Sequence, residues 1–545
     1  MKKKKSRKSL KSRKSTKHKN IPIGDLKAIL VKAKSGALSD DEIEKLDGAV
    51  DTLATLTNEL EMKGASIRNL RRLLFGSGTE KTQNILKEKN QSADNTGPKQ
   101  DESKSKDKKV AGHGRLSADK YKGAEKISIK HESLKHGDSC PECLTGKVYR
   151  QKKTSPIVRI TGVAPLEAIV YDLEQYRCGT CGKVFTASAP DNVGKEKYDD
   201  SAAAMIALLK YSCGLPFNRL DKLQKNLGIP LPNSTQWDIV KKLAKKIIPI
   251  YAMLIRFAAD GDLLHNDDTT TKILDLEKEI EKQKANASPG TRMRTGIFTT
   301  GIVSIKEQLQ IALFFSGRKH AGENLETVLS QRNEELSLPI QMSDALSSNT
   351  TGIYDTIEAN CNSHARRKFV EVVEDFPEEV RFVLKVYKEI YKHDALTKLE
   401  KMSDDQRLEY HKKHSKPEMD KLYKWLIAQF EEKLVEPNST LGNAIQYTQN
   451  HWEKLTQFLK IPGAPLDNNI CERILKQAII HRKNSLFFKT ENGAKVGDLF
   501  MSLIFTCELQ KVSPFDYMTK IATHAAEIAE NPENWMPWNY LENNK

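Results

Sequence analysis

The sequence has few cysteines, no long apolar run and no nucleotide-binding loop. Its 545 residues include 8 Cys, too few for a disulfide scaffold, which excludes the small disulfide-rich secreted folds. No apolar run approaches the roughly 18 residues that span a bilayer, and no apolar core follows the N-terminal charges as it does in a signal peptide. The absence of a G-x-x-x-x-G-K-[ST] loop argues against an ATP-driven mechanism. We therefore expect a cytoplasmic protein without a membrane segment.

The positive charge lies mostly at the N-terminus. The formal net charge is +16, from 88 Lys and Arg against 72 Asp and Glu. Residues 1–20 hold 11 of these Lys and Arg and no acid, which leaves 77 against 72 in the rest of the chain. Such a tail suits non-specific phosphate contact through counterion release, but a solvated terminus without a partner has the same composition.

Apolar residues in heptad spacing follow the tail. They predict a coiled coil of about four heptads that brings protomers together, or a lone amphipathic helix that packs on its own chain. Gly48 and Gly64 weaken the pattern, and Lys63 interrupts it. The heptad positions are Leu46, Ala49, Leu53, Leu56, Leu60, Ile67, Leu70 and Leu74.

The cysteines form two C-x-x-C pairs. Cys140 and Cys143 are separated by 34 residues from Cys178 and Cys181. Two such turns complete a tetrahedral, structural Zn²⁺ site, although two unrelated thiol pairs remain the alternative. The other cysteines have no such spacing, and we expect them to be buried small side chains: Cys213, Cys361, Cys471 and Cys507.

The remaining sequence alternates between helical and strand-like segments. Residues 200–258 predict three helices, the last capped by Ser234, which form either a helix-turn-helix or an ordinary bundle. Residues 260–345 predict a mixed α/β layer, and residues 365–460 are helical and highly charged.

Three acids lie at the ends of predicted elements. Asp267 and Asp268 are adjacent in a strand, so their side chains point to opposite faces, and alternation alone does not select one. Asp344 ends the strand "LPIQMSD", and Glu472 lies at the edge of an apolar helix stripe that begins near Asn469. Each acid alone has an ordinary explanation: a solvated or turn-capping group, or, for Asn469 and Glu472, a capping box.

Together the three acids indicate a pocket for hard cations. Oxygen ligands with open positions suit Mg²⁺ or Mn²⁺. Two such ions about 3.5 to 4 Å apart can activate a water or a 3′-hydroxyl and stabilise the leaving oxygen of a phosphodiester. With a zinc ribbon and basic segments, this indicates a nuclease or strand transferase.

The order of several short motifs resembles the insertion sequence 66 (IS66) family of bacterial transposases. The resemblance extends over nearly the whole chain, and the motifs are "LRRLLFGSGTEK" (70–81), "GHGR" (112–115), the two C-x-x-C pairs, "LHNDDT" (264–269), "CNSHARRKF" (361–369), "LDNNICER" (466–473) and "HRKNSLFF" (481–488). The family is of the DDE class with a ribonuclease-H-like core. The resemblance therefore implies a multidomain α/β fold whose mixed-sheet catalytic core carries a helical insertion, preceded by a coiled coil and a zinc ribbon.

The resemblance implies three catalytic acids, Asp267, Asp344 and Glu472, which bind Mg²⁺ or Mn²⁺. After Asp344 this chain has Ala345-Leu346 where the family usually has Gly-Tyr. His364 lies in the "CNSHARRKF" motif. Cationic residues in or near matching motifs are expected to hold DNA phosphates, although they could be merely solvated: Arg366, Arg367, Arg473, Lys476, Arg482 and Lys483.

The implied function is a transposase that nicks the ends of a mobile element and joins the 3′-hydroxyls to target DNA. The implied partners are double-stranded DNA, further copies of the chain and accessory proteins of the same element, in a bacterial, nucleoid-associated setting. The rival is a DNA-binding protein, derived from a transposase, that has lost catalysis.

We expect nine segments in chain order. They are a basic tail (1–38), a coiled-coil helix (39–81), a linker (82–130), a zinc ribbon (131–190), a helical DNA-binding domain (198–258), the first part of the catalytic core (260–369), a helical insertion (370–460), the end of the core (461–495) and a C-terminal helical segment (496–545).

Overall fold

A computed structural model of the chain describes residues 39, 135–139, 141, 145–149, 165–177, 184–188, 190, 196–288 and 293–542. The chain divides into two units, Met1–Lys99 and Gln100–Lys545, and Ser39 is the one described residue of the first. The basic tail, the heptad positions, the linker and the four zinc-site cysteines lie outside the described residues.

Two short antiparallel pairings precede the main body of the second unit. Ser139 bridges Lys147, and strand β1 (Gln175–Arg177) pairs with β2 (Val184–Thr186). The sequence between the members of each pairing contains one C-x-x-C.

Three helices lead into the main sheet: α1 (Asp200–Tyr211), α2 (Phe217–Asn226) and α3 (Asn233–Ala259). Asp199 caps α1 by accepting the Ala202 N–H at 2.9 Å. The prediction of a Ser234 cap on α3 was wrong, since the helix begins at Asn233 behind Pro232, and no side chain caps it. α1 and α3 bury apolar faces in the same core as the sheet.

The main sheet has five strands: β3 (Leu263–Thr270), β4 (Phe298–Lys306), β5 (Leu309–Gly317), β6 (Ile340–Ser343) and β7 (Ile357–Asn360). Their spatial order is β5-β4-β3-β6-β7. β4 is antiparallel to both β3 and β5, whereas β6 is parallel to β3 and to β7. The carboxyl ends of β3, β5, β6 and β7 therefore lie at one end of the sheet.

Helices α4 (Leu274–Asn286), α5 (Ala321–Leu329) and α6 (Asn362–Val370) follow β3, β5 and β7. The predicted helical region after α6 contains α7 (Pro377–Leu399), α8 (Asp404–His414), α9 (Lys416–Glu431), α10 (Thr440–Asn450) and α11 (Trp452–Leu455). The chain then forms α12 (Asn469–Ser485), α13 (Glu491–Leu509), α14 (Pro514–Thr523) and α15 (Ala525–Glu530). No helix in the described ranges is long and apolar enough to cross a bilayer.

Helix α13 covers the open edge of β5. An edge strand presents unpaired backbone groups to its surroundings, and here side chains one helical turn apart match N–H groups two residues apart. The Ala312 N–H donates to Thr506 Oγ1 (3.0 Å), that of Phe314 to Ser502 Oγ (2.9 Å) and that of Ser316 to Asp498 Oδ2 (2.7 Å). The sheet thus ends in a helix and exposes no pairing edge on this side.

The main core lies between the sheet and helices α3, α12 and α13. Three cysteines are buried as expected, Cys361, Cys471 and Cys507. The prediction was wrong for Cys213, which is exposed because it lies in the turn that follows α1.

Candidate active site

Asp267 and Asp344 meet at one end of the sheet. β3 and β6 are adjacent and parallel, and His265 lies opposite Met342. Asp267 and Asp344 each follow two residues later, so they lie at the same level of the sheet. Asn349 Nδ2 donates to Asp344 Oδ1 at 2.6 Å and lies 3.4 Å from Asp267 Oδ1. The two carboxylate oxygens are therefore no more than about 6 Å apart, the sum of these two contacts.

A buried amide network fixes the bridging Asn349. Its backbone oxygen accepts hydrogen bonds from Asn266 Nδ2 (2.7 Å) and from Gln341 Nε2 (2.6 Å). Gln341 Nε2 also lies 3.0 Å from Asn266 Oδ1. All three residues are buried, so the Asn349 amide is held between the two carboxylates before any ligand binds.

Asp268 points away from this cluster. Its Oδ2 lies 2.9 Å from His320 Nδ1 and 3.4 Å from the Ala321 nitrogen, at the beginning of α5. A carboxylate at a helix N-terminus is favourably placed for the exposed N–H groups. The strand alternation is therefore as predicted, with Asp267 and Asp268 on opposite sides of the sheet.

Glu472 lies in the first turn of α12, and Asn468 anchors that turn to β3. The fully buried Asn468 side chain contacts His265 Nδ1 through Oδ1 (2.9 Å) and donates from Nδ2 to the Asn266 oxygen (3.1 Å). Its backbone N–H donates to Cys361 Sγ at 3.2 Å. The position of Glu472 is thus tied directly to the strand that carries Asp267.

The alternative of a capping box at this helix is wrong. Asn469 is the first helical residue and not the cap, and its Nδ2 donates to Asp467 Oδ2 at 2.7 Å. The Glu472 carboxylate instead faces α6, with Oε1 3.7 Å from His364 Nδ1 and Oε2 3.8 Å from Arg367.

A glycine permits the close approach of α12 to the sheet. Gly301 of β4 lies opposite Asp267, and a Cβ at this position would be 3.0 Å from Leu475 Cγ and 3.4 Å from Ile474 Cδ1. Cys471 Sγ also donates to the Gly301 oxygen at 3.3 Å. The helix carrying Glu472 therefore lies directly over the strand pair that carries Asp267.

Burial and negative charge raise the pKa of Asp267 to about 7. Burial is the largest cause, followed by the charge of Asp344, and the charges of Asp268 and Glu472 act in the same direction. The Asp268 N–H, which donates to Asp267 Oδ1 at 2.8 Å, opposes the increase. The site concentrates negative charge that a bound cation would stabilise.

The oxygen atoms present fit a hard divalent cation. Within the described part of the chain, Glu472 Oε1 and Asn349 Oδ1 are buried and have no hydrogen-bond partner. Ligand atoms of Cys361, His364 and Glu472 also lie within 4.8 Å of one another. Burial raises the pKa of the Cys361 thiol to about 12, so this sulfur is a protonated hydrogen-bond acceptor and a poor metal ligand. The ligands that remain are the carboxylates and His364, whose Nδ1 is also buried without a hydrogen-bond partner among the described residues.

The predicted phosphate-binding cations differ in their surroundings. Arg482 bonds the Thr270 backbone oxygen and the hydroxyls of Thr269 and Thr270, so it holds α12 to the end of β3. Arg366 and Arg367 are half-buried on α6. The other three are exposed along α12: Arg473, Lys476 and Lys483.

Sequence reasoning missed two residues that organise this site, Asn349 and Asn468. Asn468 lies inside the "LDNNICER" motif, so its presence in a motif was a usable signal. Asn349 occurs in the polar run "SSNTT", where nothing distinguishes it from a loop residue.

The chain is similar to curated proteins whose names state no function. Three curated relatives from Sinorhizobium fredii (strain NBRC 101917 / NGR234) are each named only as an uncharacterized protein. The chain is 24% identical to y4hP over 388 residues (67% of this chain, 67% of the relative), 25% identical to y4jD over 417 residues (73% and 77%) and 29% identical to y4qI over 198 residues (35% of each).

A family model described as Transposase IS66 family matches residues 195–496, more than half of the chain. A mixed sheet of five strands surrounded by many helices fits the core of a DDE transposase. The resemblance seen in the motifs is thereby confirmed, and the chain belongs to the IS66 family of transposases.

Proposed function

We propose that this protein is a DDE transposase that binds the ends of a mobile element, nicks them and transfers the freed 3′-hydroxyls to target DNA. The observation that supports this proposal is the meeting of Asp267 and Asp344 at two parallel strand ends, with Glu472 at a helix start near enough for its charge to raise the pKa of Asp267. We assign the five-stranded sheet and α12 to a ribonuclease-H-like catalytic core, with α7 to α11 as its helical insertion.

In this proposal Asp267, Asp344 and Glu472 hold Mg²⁺ or Mn²⁺. The ions would supply activation of the attacking hydroxyl and stabilisation of the leaving oxygen. Asn349 orients the two aspartates, and Asn468 orients α12 and hence Glu472. Asp268 has a structural role at α5, which is why we assign catalysis to Asp267 and not to its neighbour.

We propose that exposed cations of α12 hold DNA beside the carboxylates. Arg473, Lys476 and Lys483 are separated by three, seven and ten residues and so share a face of the helix. Arg366 and Arg367 of α6 are further candidates. Arg482 contributes mainly by positioning, because its guanidinium is engaged by β3.

The N-terminal segments would support DNA binding and assembly. We propose a structural Zn²⁺ at Cys140, Cys143, Cys178 and Cys181, a coiled coil at residues 39–81 that joins protomers, and helices at residues 198–258 that help to position DNA. Pairing of two element ends needs more than one active site, so we propose an oligomer on DNA, with accessory proteins of the element as further partners.

A plasmid nicking assay tests this proposal. Purified protein is incubated in Mg²⁺ with supercoiled plasmid that carries the DNA ends flanking the gene, and nicks are mapped. We expect nicks at the element ends with wild type and with Asp268→Ala, provided the latter folds, and none with Asp267→Asn. Tight binding to the ends without nicking, in Mn²⁺ as well, would favour the alternative of a DNA-binding protein that has lost catalysis.

A further inference from the structure

A groove with a cationic rim lies away from the carboxylate cluster. It is bounded by α3, by the end of β5 and by the beginning of α13, and it encloses about 690 Å³. Five cationic residues line it: Lys241, Lys245, Arg318, Lys319 and Lys495. Its two acids are Glu491 and Asp498.

Most of this positive charge is available to a ligand. Lys241 and Lys245, one turn apart on α3, are exposed and form no ion pair within the described ranges. Lys319 contacts only a neutral group in the structure, the Thr327 hydroxyl, at 3.1 Å. Lys495 is paired with Glu491 at 2.9 Å. Three lysines of the groove, Lys241, Lys245 and Lys319, therefore form no ion pair with an acid of the described residues.

The remaining charged groups are fixed by the protein. Arg318 donates to Gln283 Oε1 (3.2 Å) and to the Arg294 oxygen (2.6 Å), which holds its guanidinium in place. Asp498 lies beneath the surface and accepts the Ser316 N–H and hydroxyl, each at 2.7 Å. Because its oxygens are turned toward β5, this acid does little to repel an anion in the groove.

The floor of the groove is apolar. Ile248 follows Lys245 by three residues on the same face of α3 and is 53% exposed, and Phe315 and Tyr251 lie beside it. A positively charged rim over apolar side chains suits a polynucleotide, whose phosphates contact the cations while its sugars and bases cover the apolar surface.

The groove lies at the same end of the sheet as the proposed active site. Asp267 of β3 lies opposite Gly301 of β4, which lies opposite Phe314 of β5. The segment Phe315–Lys319, which lines the groove, therefore starts next to the level of Asp267, two strands away. Two interstrand spacings amount to roughly 10 Å. Phe315 points to the opposite face from Phe314 and hence from Asp267. A strand that crosses this end of the sheet can reach both places.

We propose that this groove binds the phosphate backbone of the DNA on which the carboxylate cluster acts. The inference rests on the proposed function, since it supplies a second contact for the same DNA. It adds a surface on α3, β5 and α13 to the cations of α6 and α12.

Charge removal with a matched control tests the groove. The full-length double variant Lys241→Gln/Lys245→Gln is compared with Lys242→Gln/Lys424→Gln, which removes two exposed lysines outside the groove. Binding is measured by fluorescence anisotropy from 50 to 300 mM NaCl with a 30-base-pair duplex and with a 30-nucleotide single strand. Thermal melting of each variant verifies that it folds.

We expect the groove variant to lower the slope of log Kd against log salt by about two, and to weaken binding at 100 mM NaCl at least about tenfold. The control should change the slope by less than half of that. An effect on the duplex alone, the single strand alone or both supports the groove and identifies the form of DNA that it takes. Equal slopes for the groove variant and the wild type, on both probes, would overturn it.

Asp267→Asn separates this inference from the proposed function. It should bind both probes with the wild-type slope but should not nick plasmid. If the wild type cleaves but the groove variant binds DNA like the wild type, the groove proposal is refuted and the transposase proposal stands. A wild-type chain that binds neither probe would overturn both proposals.

Discussion

Replacing Asp267 with asparagine should stabilise the metal-free protein while abolishing cleavage. The pKa of Asp267 is raised from 3.8 to about 7 in the folded state. Ionisation of this carboxyl is therefore less favourable in the folded chain than in the unfolded chain, and this difference opposes folding. Asparagine has the same shape, can still accept the Asp268 N–H and carries no charge.

The magnitude follows from the pKa change. Each pKa unit corresponds to about 1.36 kcal/mol, so three units amount to about 4 kcal/mol at most. The destabilisation is absent below about pH 4, grows between pH 4 and 7 as the unfolded chain loses its proton first, and is complete above pH 7. At pH 8 the substitution should raise the melting temperature by roughly 5 to 10 °C.

Thermal unfolding of wild type, Asp267→Asn and Asp268→Asn is measured at pH 5 and pH 8 in EDTA, and again in 10 mM Mg²⁺ or Mn²⁺. The gain for Asp267→Asn should be larger at pH 8 than at pH 5, and metal should stabilise wild type more than this variant. Asp268→Asn loses the charge that faces His320 and should be destabilised. An Asp267→Asn protein no more stable than wild type at pH 8 would refute the electrostatic reasoning.

Three other substitutions test the support of the site and of the sheet. Gly301→Ala places a methyl group against α12 and should reduce nicking at least about tenfold while DNA binding persists, because Glu472 is displaced; equal nicking rates would contradict this. Asn468→Ala leaves the His265 ring nitrogen unpaired and should cost about 1 to 3 kcal/mol in chemical denaturation, and a cost below 0.5 kcal/mol would count against the anchor. Ser502→Ala removes the acceptor for an edge N–H of β5 and should cost a similar amount and increase light scattering on heating, whereas unchanged melting would argue against edge protection.

The order and type of the elements in the core could be predicted because the spacing of apolar residues along the sequence differs between helices and strands. The run of β-branched and aromatic residues in "TGIFTTGIVSI" predicts a strand, and β4 spans Phe298–Lys306. Caps were less predictable. Ser234 is a good N-cap residue, but Pro232 takes the N-cap position two residues earlier, with the φ of −59° that its ring fixes.

The choice between Asp267 and Asp268 shows where sequence reasoning stops. Alternation establishes that the two side chains diverge, but only tertiary contacts reveal what each one faces. His320 is more than fifty residues from Asp268 in the chain, and Asn349 more than eighty from Asp267. Contacts at such separations depend on the strand order β5-β4-β3-β6-β7, which a single sequence does not determine.

The amides of the site were missed for a related reason. A buried asparagine and a loop asparagine look the same in sequence, since the residue type is common in turns. Asn349 organises the site because its backbone oxygen accepts hydrogen bonds from two buried side chains, while its side-chain nitrogen lies between the two aspartates. That role is defined by partners from β3 and β6, so no local pattern can predict it.

The same arrangement accounts for both the cost of the site and its use. Parallel β3 and β6 bring two carboxylates to one end of the sheet, and the missing side chain at Gly301 allows a third to approach on α12. Without a cation, burial first and the neighbouring negative charges second oppose ionisation of Asp267 and raise its pKa. A divalent ion would relieve the repulsion, so the free energy that opposes folding of the empty site would favour metal binding. Stability and metal affinity should therefore change in opposite directions when Asp267 is neutralised.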